Sequence, residues 1–83
     1  MKKPVSKASL MIRAARLQKG WSQRQLGGML GHNYGNFVGM IETGASQVPF
    51  DLIPQLSSLL DLDPKILLRE VMICRHPTLA KYL

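Results

Sequence analysis

Two histidines, one cysteine and five carboxylates are the whole stock from which this chain could build a catalytic or metal centre. They are badly placed for it. His32 and His76 stand far apart with no acidic cluster beside either. Cys74 has no evident base to activate its thiol, and no His/Cys spacing matches a metal-ligand pattern. The expectation is a protein with no catalytic residues, no cofactor and no metal. A single cysteine also excludes an internal disulfide, which suits a reducing compartment; Cys74 then reads as a small apolar residue of a helix.

The chemistry that the sequence does favour is recognition of anions. The net charge is +6 and is unevenly spread. Residues 1–41 hold Lys2, Lys3, Lys7, Arg13, Arg16, Lys19 and Arg24 and no acid, whereas residues 42–83 hold four cations against five acids. A basic half joined to a nearly neutral half implies one anion-facing surface and one surface with another task. The plainer alternative is a soluble basic domain with no dedicated partner. Ordered partners for phosphate need positions fixed by secondary structure.

At 83 residues the chain is one domain with a thin core. It is 46% hydrophobic but only 6% aromatic, a composition that suits helices packed through Leu, Ile, Met and Ala. Residues 1–8 read as a flexible basic arm, 9–74 as the domain proper and 75–83 as a tail. The periodicity predicts a helix over about 7–19, with Ile12, Ala15 and Arg16 on one face and Gly20 closing it. Ser22 and Gln25 form a Ser-x-x-Gln capping box for a short second helix whose buried stripe is Leu26, Met29 and Leu30. Gly31 stops that helix, and Asn33 is placed to cap a third over about 34–43, with Val38 and Ile41 buried. A fourth helix starts near Pro49 with Phe50, Ile53, Leu56 and Leu60 on its apolar face. Asp63-Pro64 is a cap and first-turn pair for a fifth, and Pro77 ends regular structure. The fold class is therefore all-α with five helices.

Two short helices joined by a glycine turn, behind a basic first helix, are the parts of a helix-turn-helix. The second of such a pair fits the DNA major groove, and the first crosses the backbone.

The run from Ile12 through Arg16, Gly20-Trp21-Ser22-Gln23-Arg24-Gln25 to Leu26, then Leu30-Gly31, then Met40-Ile41-Glu42-Thr43-Gly44, resembles the lambda-repressor-like helix-turn-helix family, the Cro-like, xenobiotic-response-element type. Val48-Pro49-Phe50-Asp51-Leu52-Ile53-Pro54 and Leu60-Asp61-Leu62-Asp63-Pro64 resemble that family's last two helices, so the likeness covers about residues 9–73. It implies a double-stranded DNA-binding transcriptional regulator whose third helix reads bases. It implies that Gln23 contacts a phosphate and braces the recognition helix. It implies that Arg16 and Glu42 form a structural ion pair, and that the segment 44–47 approaches phosphate. The chain departs from the pattern in two places. The turn after Gly31 is one residue longer, and Gly27 stands where alanine is typical.

The third helix contains neither Arg nor Lys, the usual readers of guanine. Its candidates for base contact are Tyr34, Gly35, Asn36, Gly39 and Met40. Asn36 could pair with adenine and Met40 could touch a thymine methyl or fill the core, while the two glycines would allow close approach. Backbone contacts fall to Gln23, Arg24, His32, Asn33, Thr43, Ser46 and Gln47, with Lys2, Lys3 and Lys7 adding phosphate or minor-groove contacts from the arm.

The fifth helix is apolar over more than half its circumference, and the tail is apolar too. Ile66, Leu67, Ile73, Leu79, Tyr82 and Leu83 are the expected interface of a symmetric homodimer. An antitoxin or co-regulator gripping another protein by that helix is the alternative, and the basic half argues against a pure interaction module. Arg13 breaks the only apolar run near the start, so neither a targeting segment nor a membrane partner is expected. The reading is of a cytoplasmic protein of bacterial or phage origin, with a repressor of a phage, a mobile element or its own operon as the expected type.

Overall fold

The computed structural model describes residues 5–31 and 36–83. Among them there are helices and no strands. Six α-helices follow one another: α1 (Lys7–Lys19), α2 (Gln23–Met29), α3 (Phe37–Thr43), α4 (Ile53–Leu60), α5 (Pro64–Arg75) and α6 (Pro77–Ala80), with a 3-10 turn (Phe50–Leu52) leading into α4. The all-α expectation holds, and the described residues form six α-helices rather than five. Pro77 opens α6 instead of ending regular structure, because a proline in the first turn of a helix gives up no hydrogen bond.

Local chemistry sets the boundaries. The Ser6 hydroxyl accepts from the Ser9 amide at 3.1 Å and starts α1. Gly20, at φ +77°, takes the left-handed conformation that closes it. Both arms of the Ser22–Gln25 capping box are made, at 3.0 and 2.7 Å. Asp63 caps α5 by accepting from the Lys65 amide at 2.8 Å. The expected start of the fourth helix at Pro49 is displaced to Ile53. A regular turn begun at Phe50 would need an N–H on Pro54, which has none, so the Ile53 amide bonds Phe50 in a tighter 3-10 turn.

α1 lies at the centre, packed on α3, α4 and α5, while α2 packs on α3, and α6 folds back on α5. Ile12, Leu26, Val38, Ile41, Leu56, Leu67 and Val71 are almost wholly removed from water. The packing departs from three expectations. Leu67 is 0% exposed and belongs to the core, so it is unavailable to a dimer interface in this fold. Ala8 is also buried and Lys7 begins α1, so the arm cannot extend through residue 8. Phe50 and Met29, expected on buried stripes, are 37% and 40% exposed. Among the described residues no helix is long and apolar enough to cross a membrane.

Candidate nucleic-acid interface

Glu42, in the last turn of α3, ties three helices together. Arg16, near the end of α1, donates Nε to Oε2 of Glu42 at 2.6 Å and Nη2 to Oε1 at 3.0 Å. Its third nitrogen, Nη1, donates to the Trp21 carbonyl at 2.7 Å, and the Trp21 amide returns a bond to the Arg16 carbonyl at 3.2 Å. Gln23, the first residue of α2, donates Nε2 to Glu42 Oε1 at 3.2 Å. Arg16 and Glu42 are 6% and 4% exposed. Burial opposes the Arg16 charge, but the hydrogen bonds to Glu42, helped by its negative charge, outweigh it and raise the Arg16 pKa above its ordinary value. The ends of α1 and α3 and the start of α2 thus share one charge-assisted cluster.

That cluster fixes what α3 presents. Val38 and Ile41 turn into the core. Asn36, Met40 and Thr43, at helical spacings of four and three, are exposed on the opposite side. Asn36 sits at the N-cap of α3, with φ −110° and ψ 3°, and its side chain makes no capping bond. The helix therefore starts at Phe37, later than expected, and Asn36 holds the cap position expected of Asn33. Its carboxamide is uncommitted to α3. Met40, which the sequence left between core and surface, is 38% exposed. Gly39 is half-buried on the flank of the same face. Tyr34, Gly35, His32 and Asn33 lie outside the described residues, as do Lys2 and Lys3.

The loop after α3 is anchored to that helix. Gly44 closes α3 at φ +84°, and the Ser46 amide donates to the Met40 carbonyl at 3.1 Å. The Thr43 hydroxyl donates to the same carbonyl at 3.3 Å. Gln47 is exposed beyond Ser46, and Arg24 is exposed in the first turn of α2. Asn36, Gly39, Met40, Thr43, Arg24 and the 46–47 loop therefore belong to one unit, tied by Glu42 to α1 and α2.

Charge on this unit is one-signed. Residues 22–47 contain a single acid, Glu42, and it is buried and paired. Elsewhere the basic first half is partly neutralised by the second. Lys19 pairs with Asp61, and Lys7 lies 3.8 Å from Glu70, which draws Lys7 toward α5. Arg13 and Arg24 are exposed and have no ion pair among the described residues.

A second exposed surface, on α5 and the tail, is apolar. Ile66, Ile73, Leu79, Tyr82 and Leu83 are all about half exposed or more, and Leu68, not expected at the interface, is partly exposed as well. Arg75 donates to the Val48 carbonyl at 3.3 Å and lies 4.2 Å over the Phe50 ring, which stacks on His76. This exposed stack explains why Phe50 leaves the core. Cys74 is exposed on α5 and is not a core residue. No group of three His, Cys, Asp or Glu that could hold a metal occurs among the described residues. No protein-family model, curated protein or solved structure was found to match the chain.

Proposed function

We propose that the protein is a sequence-specific regulator of transcription that binds double-stranded DNA. In this reading α2 and α3 are a helix-turn-helix. α3 enters the major groove with Asn36, Gly39 and Met40 toward the bases, and Arg24, Thr43, Ser46 and Gln47 meet the backbone on either side. The observation that carries the reading is the joint anchoring of α1, α2 and α3 on buried Glu42, beneath a face whose own segment, residues 22–47, holds no other carboxylate. A polyanion can approach that face without like-charge repulsion, and the helix that meets it is held at a fixed angle.

With no Arg or Lys on α3, affinity comes from backbone contacts and selectivity from a few polar contacts and the shape of the duplex. No chemistry is involved; occupying a promoter excludes polymerase, so repression is the expected outcome. The exposed apolar residues Ile66, Ile73, Leu79, Tyr82 and Leu83 support a second copy on that face. Two α3 helices would then read a palindrome one helical turn apart. The same exposure supports the alternative, a partner protein seated there.

Fluorescence anisotropy with a labelled random duplex and a labelled single strand of equal length tests the reading. Preference for the duplex, with affinity falling steeply as salt rises, is expected. Equal or better binding to the single strand, or none to either, would overturn it.

A further inference from the structure

Gly39 and Gln23 face each other across the contact between α3 and α2. A Cβ added to Gly39 would lie 3.0 Å from Oε1 of Gln23 and 3.5 Å from its Cδ and Nε2. The Gln23 carboxamide therefore rests against the space that any other side chain at position 39 would fill. Gly39 itself has no left-handed backbone, unlike Gly20, Gly31 and Gly44. Conformational freedom does not account for so poor a helix former in the middle of a seven-residue helix; the missing side chain does.

Gln23 is held in this seat from behind. Its Nε2 donates to Glu42 Oε1, and Glu42 is fixed by Arg16. The amide orientation follows from chemistry, since a carboxylate oxygen accepts from nitrogen and not from another oxygen. One N–H is spent on Glu42. The second N–H and Oε1 have no hydrogen-bond partner among the described residues. Gln23 is only half-buried, and it borders the exposed face of Asn36, Met40 and Thr43.

We infer that Gly39 is a positioning residue and Gln23 a reading residue. The absent side chain at 39 opens a seat on the outer flank of α3, and the carboxamide from α2 occupies it and supplies the base contact that α3 lacks at that point. An acceptor beside a donor matches the N6 and N7 edge of adenine in the major groove. This inference rests on the reading of α3 as the groove helix, and goes beyond it by assigning a specificity determinant to the helix before.

The test compares the wild type with Gly39→Ala, Gln23→Ala and the double variant. Each is titrated against a duplex selected from a random library, against that duplex with each base pair changed in turn, and against random duplex. Each is also melted. The inference expects one A·T position at which the wild type discriminates about tenfold or more and Gln23→Ala does not. Gly39→Ala loses the same discrimination while still melting cooperatively, because the helix propensity gained with alanine offsets the Gln23–Glu42 bond that the new Cβ displaces. Added to Gln23→Ala, it changes nothing further. An equal loss on every duplex for Gln23→Ala would make Gln23 a phosphate contact or brace and overturn its reading role. Full discrimination retained by Gly39→Ala would overturn the positioning role. A wild type that binds duplex with no preference at all would overturn the proposed function and this inference together.

Discussion

Arg16 and Glu42 lie 26 residues apart in sequence, and two guanidinium nitrogens of one bond both carboxylate oxygens of the other, out of contact with water. Two charges so deep are stable only while each has the other, since the medium around them solvates neither alone. Glu42→Ala is therefore expected to lower the unfolding free energy by about 3–5 kcal/mol. Replacing both together, Arg16→Met with Glu42→Leu, should recover most of that loss. Urea titrations of the three variants check this; a single variant as stable as the wild type would show that the pair is not the clasp described. Because the Arg16 pKa is raised, its contribution is present at all pH below the ordinary arginine range and is lost only in strong alkali. No dependence on pH near neutrality is expected from this group.

Two helix ends make an opposed pair of predictions. Gly20 closes α1 at φ +77° with no side chain to strain, so Gly20→Ala should cost about 1 kcal/mol. Asp61 closes α4 at φ +55° with a Cβ that resents that conformation, so Asp61→Gly should gain about 0.5 kcal/mol, net of its exposed pairing with Lys19. Melting temperatures moving the same way in both variants would contradict this account of the two caps.

Neighbours on α5 should behave in opposite ways. Leu67 is in the core, and Leu67→Ala should destabilise the fold by about 2–5 kcal/mol. Ile73 is 47% exposed, and Ile73→Ser should leave the monomer fold intact while lowering the sedimenting mass. A mass unchanged by Ile73→Ser would remove the second copy from this face and favour a different protein as its partner.

These contrasts show what the sequence could and could not reveal. The bounds of α1, the capping box at Ser22 and the Asp63-Pro64 start of α5 are local chemistry and are legible from a few adjacent residues. α5 is apolar over more than half its circumference, so nothing local says that Leu67 faces inward while Ile66 and Leu68 face out; docking against α1 and α4 decides it. Phe50 was misplaced because its partners, Arg75 and His76, come from the far end of the chain. The pairing of Arg16 with Glu42 is legible only through a family resemblance, and the seat of Gln23 against Gly39 has no signature in the sequence. A glycine shows what it lacks only when its neighbour in space is known.

Asn36, at the N-cap of α3, has the clearest means of reading a base, an exposed carboxamide that the helix cap does not use. Asn36→Ala is expected to weaken binding to a cognate duplex by about tenfold more than binding to random duplex, in titrations at one fixed salt concentration. Equal losses on both would mean that Asn36 contributes to affinity and not to sequence preference.

Whether this face reads sequence is decided by selection of duplexes from a random library by the purified protein, followed by anisotropy on the enriched sequence at two salt concentrations. A dimeric reader enriches a palindrome with half-sites about one helical turn apart, whose preference over random duplex survives the higher salt while overall affinity falls. Failure to enrich any sequence, with binding that disappears uniformly as salt rises, would contradict it and reduce the basic surface to generic attraction.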